Sequence, residues 1–205
     1  MAEDEKLGLR ERKKRDTRWA LSDAALELMF ERGLENVVRE DIAARAGVSV
    51  RTFNNYFAGK YEALAYRMLS RLQQTVAVLK ERPAAEPLWT ALTIAFTEPY
   101  KLNGVTFPTP TLSQLAEIRK LANLPELRAV LSGDIHDELL LVLARRTGTD
   151  PDSDLYPRLL TSSLVGLYST AMYVYLHADP PRPIVPLIEE AMAAIAAGLP
   201  DPSKR

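Results

Sequence analysis

A cluster of polar side chains just after residue 50 is suited, by residue type and spacing, to hydrogen bonding with a ligand. In a helix beginning after Ser49, Phe53 and Phe57 lie four positions apart and share one face. The opposite face and its flanks then carry Arg51, Thr52, Asn54, Asn55 and Tyr56. Guanidinium, amide and hydroxyl groups are the side-chain groups that hydrogen-bond base edges and phosphate oxygens. This face therefore predicts a contact with nucleic acid.

The elements that position this face are two short helices joined by a glycine turn, within residues 41–60. Ile42 and Ala46 give the first helix an apolar side, and Gly47 supplies the left-handed residue that ends it. Ser49 has the side-chain oxygen needed to cap the second helix. The arrangement is typical of a helix-turn-helix unit. The alternative is a generic helical hairpin whose polar face meets only water.

Residues 17–64 resemble the DNA-binding domain of the TetR family of transcriptional regulators. The similarity is carried by Thr-Arg-Trp-Ala-Leu-Ser-Asp-Ala-Ala-Leu-Glu-Leu-Met-Phe-Glu-Arg-Gly and by Asp-Ile-Ala…Ala-Gly-Val-Ser…Thr-Phe…Tyr-Phe…Lys. The resemblance implies an all-α fold, with an N-terminal three-helix helix-turn-helix domain and a C-terminal helical ligand-binding and dimerisation domain. It also implies a homodimer that binds a near-palindromic operator in double-stranded DNA, most often as a repressor.

The resemblance also assigns roles to residues by position. Those expected near base edges are Glu40, Val50, Arg51 and Asn54. Those expected near the DNA backbone are Arg39, Ser49, Thr52, Asn55, Tyr56 and Lys60. Arg51 can bond guanine and Asn54 can bond adenine with two hydrogen bonds each. Asn54 stands where the family commonly has tyrosine, so the preferred operator is expected to differ.

A second departure from the family lies at Val38. The family usually has Ser or Thr there as a helix cap, and valine has no oxygen to offer. We therefore expect a weaker start to the helix that follows, or a cap supplied by Asn36, and the loss of one phosphate contact.

The net charge of −1 conceals a basic segment near the N-terminus. Residues 6–18 contain seven Lys or Arg against Glu11 and Asp16. In the resembling family this segment often lies along the duplex. The candidate phosphate contacts are therefore Arg10, Lys13, Lys14 and Arg18. The alternative is a solvated helix start or a disordered arm.

Three segments are predicted: a basic arm over 1–15, a helix-turn-helix domain over 16–62, and a helical effector-binding and dimerisation domain over 63–205. Apolar spacing and end signals predict helices over 16–32, from near 38, from 49, and over 60–80, 88–100, 112–123, 126–147, 154–177 and 184–198. No strand is required. The irregular stretch 99–110 could border a cavity or be a plain connector.

The sequence contains no recognisable catalytic pattern. It lacks a nucleophile elbow, a glycine-rich phosphate loop and a zinc motif, and it has no cysteine and only two histidines. We therefore expect no enzyme activity, no metal and no cofactor. A charged N-terminus without an apolar run predicts a cytoplasmic protein.

By resemblance, the second domain is expected to bind a small apolar effector. Candidate contacts are Trp89, Phe96, Tyr100, His136, Tyr168 and Met172. The same side chains could be ordinary core residues. In the alternative function, the helical domain only dimerises or recruits a protein partner. An enzyme tethered to DNA would need a catalytic set that is not found.

Residues 159–178 contain no formally charged side chain, which raises the question of a membrane span. We reject a span because hydroxyl groups at Thr161, Ser162 and Ser163 make the segment too polar. Burial between a core and a partner subunit fits better. Alanines in 186–198 also permit close helix packing, so the last two helices are predicted to form a four-helix dimer interface.

Overall fold

The computed structural model describes residues 8–102, 105–106, 108–124 and 134–201. Nine α-helices lie within these ranges. They are α1 (Leu9–Arg32), α2 (Arg39–Arg45), α3 (Val50–Tyr56), α4 (Lys60–Glu81), α5 (Leu88–Thr97), α6 (Leu112–Ala122), α7 (Asp134–Thr147), α8 (Leu155–His177) and α9 (Ile184–Ala196). The predicted all-α fold is confirmed.

Two helix ends differ from the sequence prediction. The predicted start of α1 at residue 16 is wrong, because the helix begins at Leu9 after Gly8. Residues 9–15 include several strong helix formers and no Gly or Pro, so nothing stops the helix from extending into the basic segment. The helix predicted over 88–100 ends as α-helix at Thr97 and continues as a 3₁₀ turn, Glu98–Tyr100. Pro99 in this turn has no N–H to donate.

A small β pairing lies in the stretch predicted to be irregular. Strand β1 (Lys101–Leu102) pairs antiparallel with β2 (Val105–Thr106). This is the only strand pairing in the described ranges, and it leaves the all-α class unchanged. The helix predicted over 126–147 is described from Asp134 onward, and its first part lies outside the described residues.

The chain divides into two compact units. The first comprises Met1–Ser70 and Ala116–Val130, and the second comprises Arg71–Leu115 and Leu131–Arg205. Helices α4 and α6 each contain residues of both units. The functional boundary between 62 and 63 stays a prediction.

The first unit has a core contributed by four helices. Leu21, Leu28 and Met29 of α1 are fully buried, as are Ile42 of α2, Phe53 of α3 and Leu64 of α4. Leu21, Leu28 and Met29 therefore form the inward face of α1.

The second unit is built around α5, α7, α8 and α9. Helix α8 is long and apolar enough to cross a membrane by length and composition, but one of its faces closes this core. Leu160, Leu164 and Leu167 are buried, whereas Leu159 and Tyr173 on the other face are exposed. Burial along one face is the pattern of a core helix with an uncovered outer side.

Candidate nucleic-acid interface

The turn between α2 and α3 has the local structure that the sequence predicts. Gly47 adopts φ of 68°, in the left-handed region that glycine enters without steric cost. The Ser49 hydroxyl accepts a hydrogen bond from the Thr52 backbone N–H at 3.0 Å, which caps α3. Glycine and serine therefore set the direction in which α3 leaves the turn.

The inward face of α3 is aromatic. Phe53 has no exposed surface and Phe57 has 2%. Their ring centroids lie 5.9 Å apart, and Phe57 meets Tyr66 of α4 edge-on at 5.6 Å. These contacts fix the rotation of α3 about its axis, which decides which side chains point outward.

The outward face of α3 carries exposed hydrogen-bonding groups without internal partners. Arg51, Asn54 and Asn55 are all exposed. None of the three side chains has a hydrogen bond or ion pair with a residue that the structure describes. Their guanidinium and amide groups are available for a partner outside the chain.

Side chains on the flanks of this face have partners within the protein or are partly buried. The Thr52 and Ser49 hydroxyl oxygens lie 2.8 Å apart, so each has a partner in the cap. Val50 and Tyr56 are partly buried. These side chains therefore lie at the border of the outward face.

Arg39 and Glu40, at the start of α2, form an exposed ion pair. Arg39 Nε donates to Glu40 Oε1 at 3.0 Å, and this hydrogen bond lowers the pKa of the Glu40 carboxyl. Both side chains are more than half exposed. Either group would have to exchange this partner for a contact with DNA, at little cost since exposed pairs are weak.

The start of α2 has no side-chain cap, as Val38 predicts. The alternative cap, Asn36, is not used for α2, because its Nδ2 donates to the Arg32 carbonyl at 2.7 Å. Asn36 instead satisfies the last turn of α1.

Lys60, at the start of α4, is held by backbone carbonyls. Its Nζ donates to the Leu34 and Glu35 oxygens at 3.2 and 3.3 Å and lies 5.2 Å from the Tyr61 ring centroid. The residue therefore stabilises the turn after α1 in this structure.

Arg18 has an intramolecular role that the sequence did not reveal. One of its terminal nitrogens donates to the Tyr56 carbonyl at 3.3 Å, and its guanidinium lies 5.7 and 5.6 Å from the Phe57 and Tyr66 ring centroids. Arg18 thus connects α1 to the end of α3. No local sequence signal links positions this far apart.

The other three arm candidates, Arg10, Lys13 and Lys14, are exposed and have no side-chain partner among the described residues. Asp16 pairs with Arg15 inside the basic segment at 3.4 Å, and other acidic side chains of the first unit pair outside it. Their ion pairs are Arg45 with Glu27 at 3.3 Å and Glu31 at 2.7 Å, Arg32 with Asp41 at 2.7 Å, and Arg67 with Asp23 at 2.5 Å. The unneutralised cations of the basic segment therefore keep their charge for an external anion.

Four of the six effector candidates meet in the second unit. The Tyr100 and Tyr168 hydroxyls lie 2.6 Å apart, Tyr100 Oη lies 3.8 Å from Met172 Sδ, and the Phe96 and Tyr168 ring centroids are 6.2 Å apart. Trp89 packs against the same core. No contact of the described residues joins His136 to this group. Arg71, which no sequence signal indicated, also lies here, with its guanidinium 5.1 Å from the Tyr100 ring centroid.

A metal centre has no support in the described ranges, where no three His, Cys, Asp or Glu side chains are grouped to hold an ion.

Comparisons with known proteins agree with this geometry. Residues 21–65 match the family model for bacterial regulatory proteins of the tetR family, and residues 86–200 match that of the MftR C-terminal domain. The HTH-type transcriptional regulator TcmR of Streptomyces glaucescens is 33% identical over 184 residues, covering 84% of this chain and 79% of TcmR.

Two solved structures share the fold. Thermus thermophilus FadR, a repressor in complex with lauroyl-CoA, has a TM-score of 0.53 and 23% identity, covering 90% of this chain and 95% of its own. The fatty acid degradation regulator FadR of Bacillus halodurans has a TM-score of 0.55 and 21% identity, covering 89% and 96%. Since both segments and a curated relative agree over most of the chain, the protein belongs to the TetR family and is a DNA-binding transcriptional regulator.

Proposed function

We propose that this regulator is a cytoplasmic homodimeric repressor that binds a near-palindromic operator and is released by a small apolar effector. The observation that carries the DNA part is the exposed, unpartnered set Arg51, Asn54 and Asn55 on α3, opposite buried Phe53 and Phe57. Two copies related by a two-fold axis would present two such helices to successive major grooves.

Within this proposal, base edges are contacted by Glu40, Val50, Arg51 and Asn54. Backbone contacts come from Arg39, Ser49, Thr52, Asn55, Tyr56 and Lys60. Exposure supports Arg51, Asn54 and Asn55 most directly. Lys60 would have to leave the Leu34 and Glu35 carbonyls to reach a phosphate, so its contribution is expected to be smaller. The segments keep their expected roles: arm over 1–15, DNA binding over 16–62, and effector binding and dimerisation over 63–205.

The dimer interface is proposed on α8 and α9. The outer face of α8 exposes Leu155, Leu159, Val165 and Tyr173, a row of large uncharged side chains. Exposed Ala193 on α9 adds a small residue that allows close approach. A row of exposed apolar side chains is typical of an interaction site. A second copy of the same two helices would cover this row in a four-helix arrangement. Burial of this face in a dimer would account for the apolar composition of α8 without a membrane span.

The effector site is proposed in the second unit, around the cluster formed by Phe96, Tyr100, Tyr168 and Met172, with Trp89 and His136 as outlying candidates. Thermus thermophilus FadR, of the same fold, is solved with lauroyl-CoA, which supports a response to a small molecule. The alternative is a second domain that only dimerises or recruits a protein partner. Catalysis is not part of either proposal.

Selection of bound duplexes from a random pool tests the DNA part. We expect enrichment of two half-sites related by two-fold symmetry, and a broader set of sequences for Arg51→Ala. Arg145→Ala is the matched control, since it removes an exposed guanidinium from α7 in the other unit. Recovery of unenriched sequences by the unaltered protein would refute operator recognition. Small molecules that bind without releasing the operator would favour the alternative without an effector.

A further inference from the structure

Among the residues that the structure describes, Arg71 of the second unit is a cation with no anionic partner. Its side chain is partly buried, and its guanidinium lies over the Tyr100 ring, 5.1 Å from the centroid. Its side chain has no hydrogen bond or ion pair with any residue in the described ranges, whereas the Thr75 hydroxyl donates to the Arg71 backbone carbonyl. A ring face attracts the charge but accepts none of the five N–H hydrogen bonds that a guanidinium can donate.

The neighbouring phenols leave one of their two O–H protons without a strong acceptor. Tyr100 is 6% exposed, and its hydroxyl lies 2.6 Å from that of Tyr168. When Tyr168 donates to Tyr100, the Tyr100 proton is left with Met172 Sδ at 3.8 Å, a weak acceptor. When Tyr100 donates to Tyr168, the Tyr168 proton has no acceptor among the described residues. Two phenols therefore hold one good hydrogen bond between them.

Arg71 is a cation that acts on each of these phenols. Burial raises the pKa of Tyr100, Tyr168 and Tyr175, and the Arg71 guanidinium opposes that rise in each of the three. The other causes of these shifts are interactions of the phenols with one another. The phenols are therefore neutral donors near pH 7, beside an uncompensated cation.

We infer that Arg71, Tyr100 and Tyr168 bind a negatively charged oxygen group, a carboxylate or an ionised phenol, at one end of the otherwise apolar effector. A charged oxygen would accept from the guanidinium and from the spare phenol proton, which supplies the missing acceptor. Phe96 and Met172, which touch the same phenols, would contact the adjoining apolar part. This inference rests on the proposed effector response and specifies the chemistry of its ligand.

Matched pairs of acid and ester test the inference on the full chain. The probes are laurate and methyl laurate, then 2-naphthoate and methyl 2-naphthoate, with affinity measured by calorimetry. We expect each acid to bind about ten- to a hundredfold more tightly than its ester, the range of a charge-assisted hydrogen bond. The two carbon skeletons distinguish a fatty acid from an aromatic acid as the source of the group.

Variants locate the preference. In Arg71→Gln the advantage of the acid should fall to a few-fold, and Arg71→Lys should retain part of it because the charge remains. Lys80→Gln is the control, since it removes one cation from the same helix and disturbs only an exposed pair with Glu138. Tyr168→Phe provides a second test that leaves the charge in place, and it should weaken acid binding several-fold without weakening ester binding.

Equal affinity for acid and ester, an acid preference that survives Arg71→Gln, or no binding of any probe up to its solubility limit would overturn the inference. Operator release, measured in parallel, separates it from the proposed function. Release by acids and esters alike would retain the effector response and remove the anion site. Acid binding with the expected preference but without release would retain the site and remove the response.

Discussion

Glu117 of α6 accepts a hydrogen bond from the backbone N–H of Leu34, with 2.7 Å between its Oε2 and the nitrogen. The contact lies in the first unit, although 83 positions separate the two residues. Its carboxyl also pairs with Lys120 at 2.6 Å. This hydrogen bond connects the turn after α1 to α6. Lys60 of α4 also binds the same turn, through the Leu34 carbonyl.

The first prediction concerns Glu117→Gln, which should lower the free energy of unfolding by about 1 kcal/mol at pH 7, because a carboxylate accepts a stronger hydrogen bond than an amide. Hydrogen bonds from Lys120 and then from Leu34 lower the pKa of Glu117 below 4.5. The stabilisation is therefore present above pH 4.5 and lost as the pH falls through the lowered value. Denaturant unfolding at several pH values measures this.

The control for that experiment is Glu189→Gln, which changes an exposed carboxylate of α9. A deficit of Glu117→Gln that stays constant from pH 7 to about pH 3 would contradict the assigned cause.

The second prediction is that operator binding depends steeply on salt. If a dimer neutralises roughly six to ten phosphates, log affinity should fall against log salt with a slope of about −5 to −9. Changing Lys13 and Lys14 together to Gln should make the slope shallower by about 2 to 4, since up to four cations per dimer are lost. Fluorescence anisotropy across a salt series measures both slopes, and Arg145→Ala should match the unaltered protein. A slope near zero would exclude DNA as the partner.

The third prediction separates base readout from backbone contacts. Arg51→Ala and Asn54→Ala should each cost about 1 to 3 kcal/mol on the preferred operator and relax its sequence preference. Lys60→Ala should weaken all duplexes alike, and should also lower thermal stability because the Leu34 and Glu35 carbonyls lose their donor. Selected-sequence binding and thermal melting provide the two readouts. Unchanged base preference in both α3 variants would mean that α3 does not read the groove.

The fourth prediction concerns Arg18, whose guanidinium connects α1 to the end of α3. Arg18→Ala should destabilise the protein by about 1 to 2 kcal/mol through loss of a hydrogen bond and two ring contacts. It should weaken DNA binding at every salt concentration without changing the salt slope, because the side chain is engaged within the protein. A slope made shallower by about 2 per dimer would instead identify Arg18 as a phosphate contact.

The fifth prediction tests the proposed dimer interface. Leu159 on α8 is 58% exposed, so Leu159→Glu should leave the fold intact while placing a charge where the partner helix is expected. Ala193→Glu on α9 should act in the same direction. Sedimentation should show dissociation of both variants, with weaker operator binding because two half-sites are no longer held together.

Leu141→Glu on α7 is the matched control for that test, since Leu141 is 54% exposed and lies outside the proposed interface. If Leu159→Glu and Ala193→Glu both remain dimeric while folded, the interface lies on other helices.

The helix-turn-helix was predictable from local sequence signals, because each of them acts within a few positions. Gly47 enters the left-handed region, Ser49 caps the helix that starts at the next residue, and Phe53 and Phe57 share a face through helical spacing. The family resemblance rests on this same local pattern, which is why the family and the all-α fold were predicted correctly.

Which charged and polar side chains lie next to one another depends instead on how the helices pack in the folded chain. Arg18 meets the Tyr56 carbonyl across 38 positions, and Tyr100 meets Tyr168 across 68. Contacts of this kind follow from how helices pack, and helical periodicity specifies a buried face without specifying its neighbour. Because the neighbours of Arg18 could not be predicted, its charge suggested a phosphate contact. The position of Arg71 beside Tyr100 likewise becomes visible only in the folded chain.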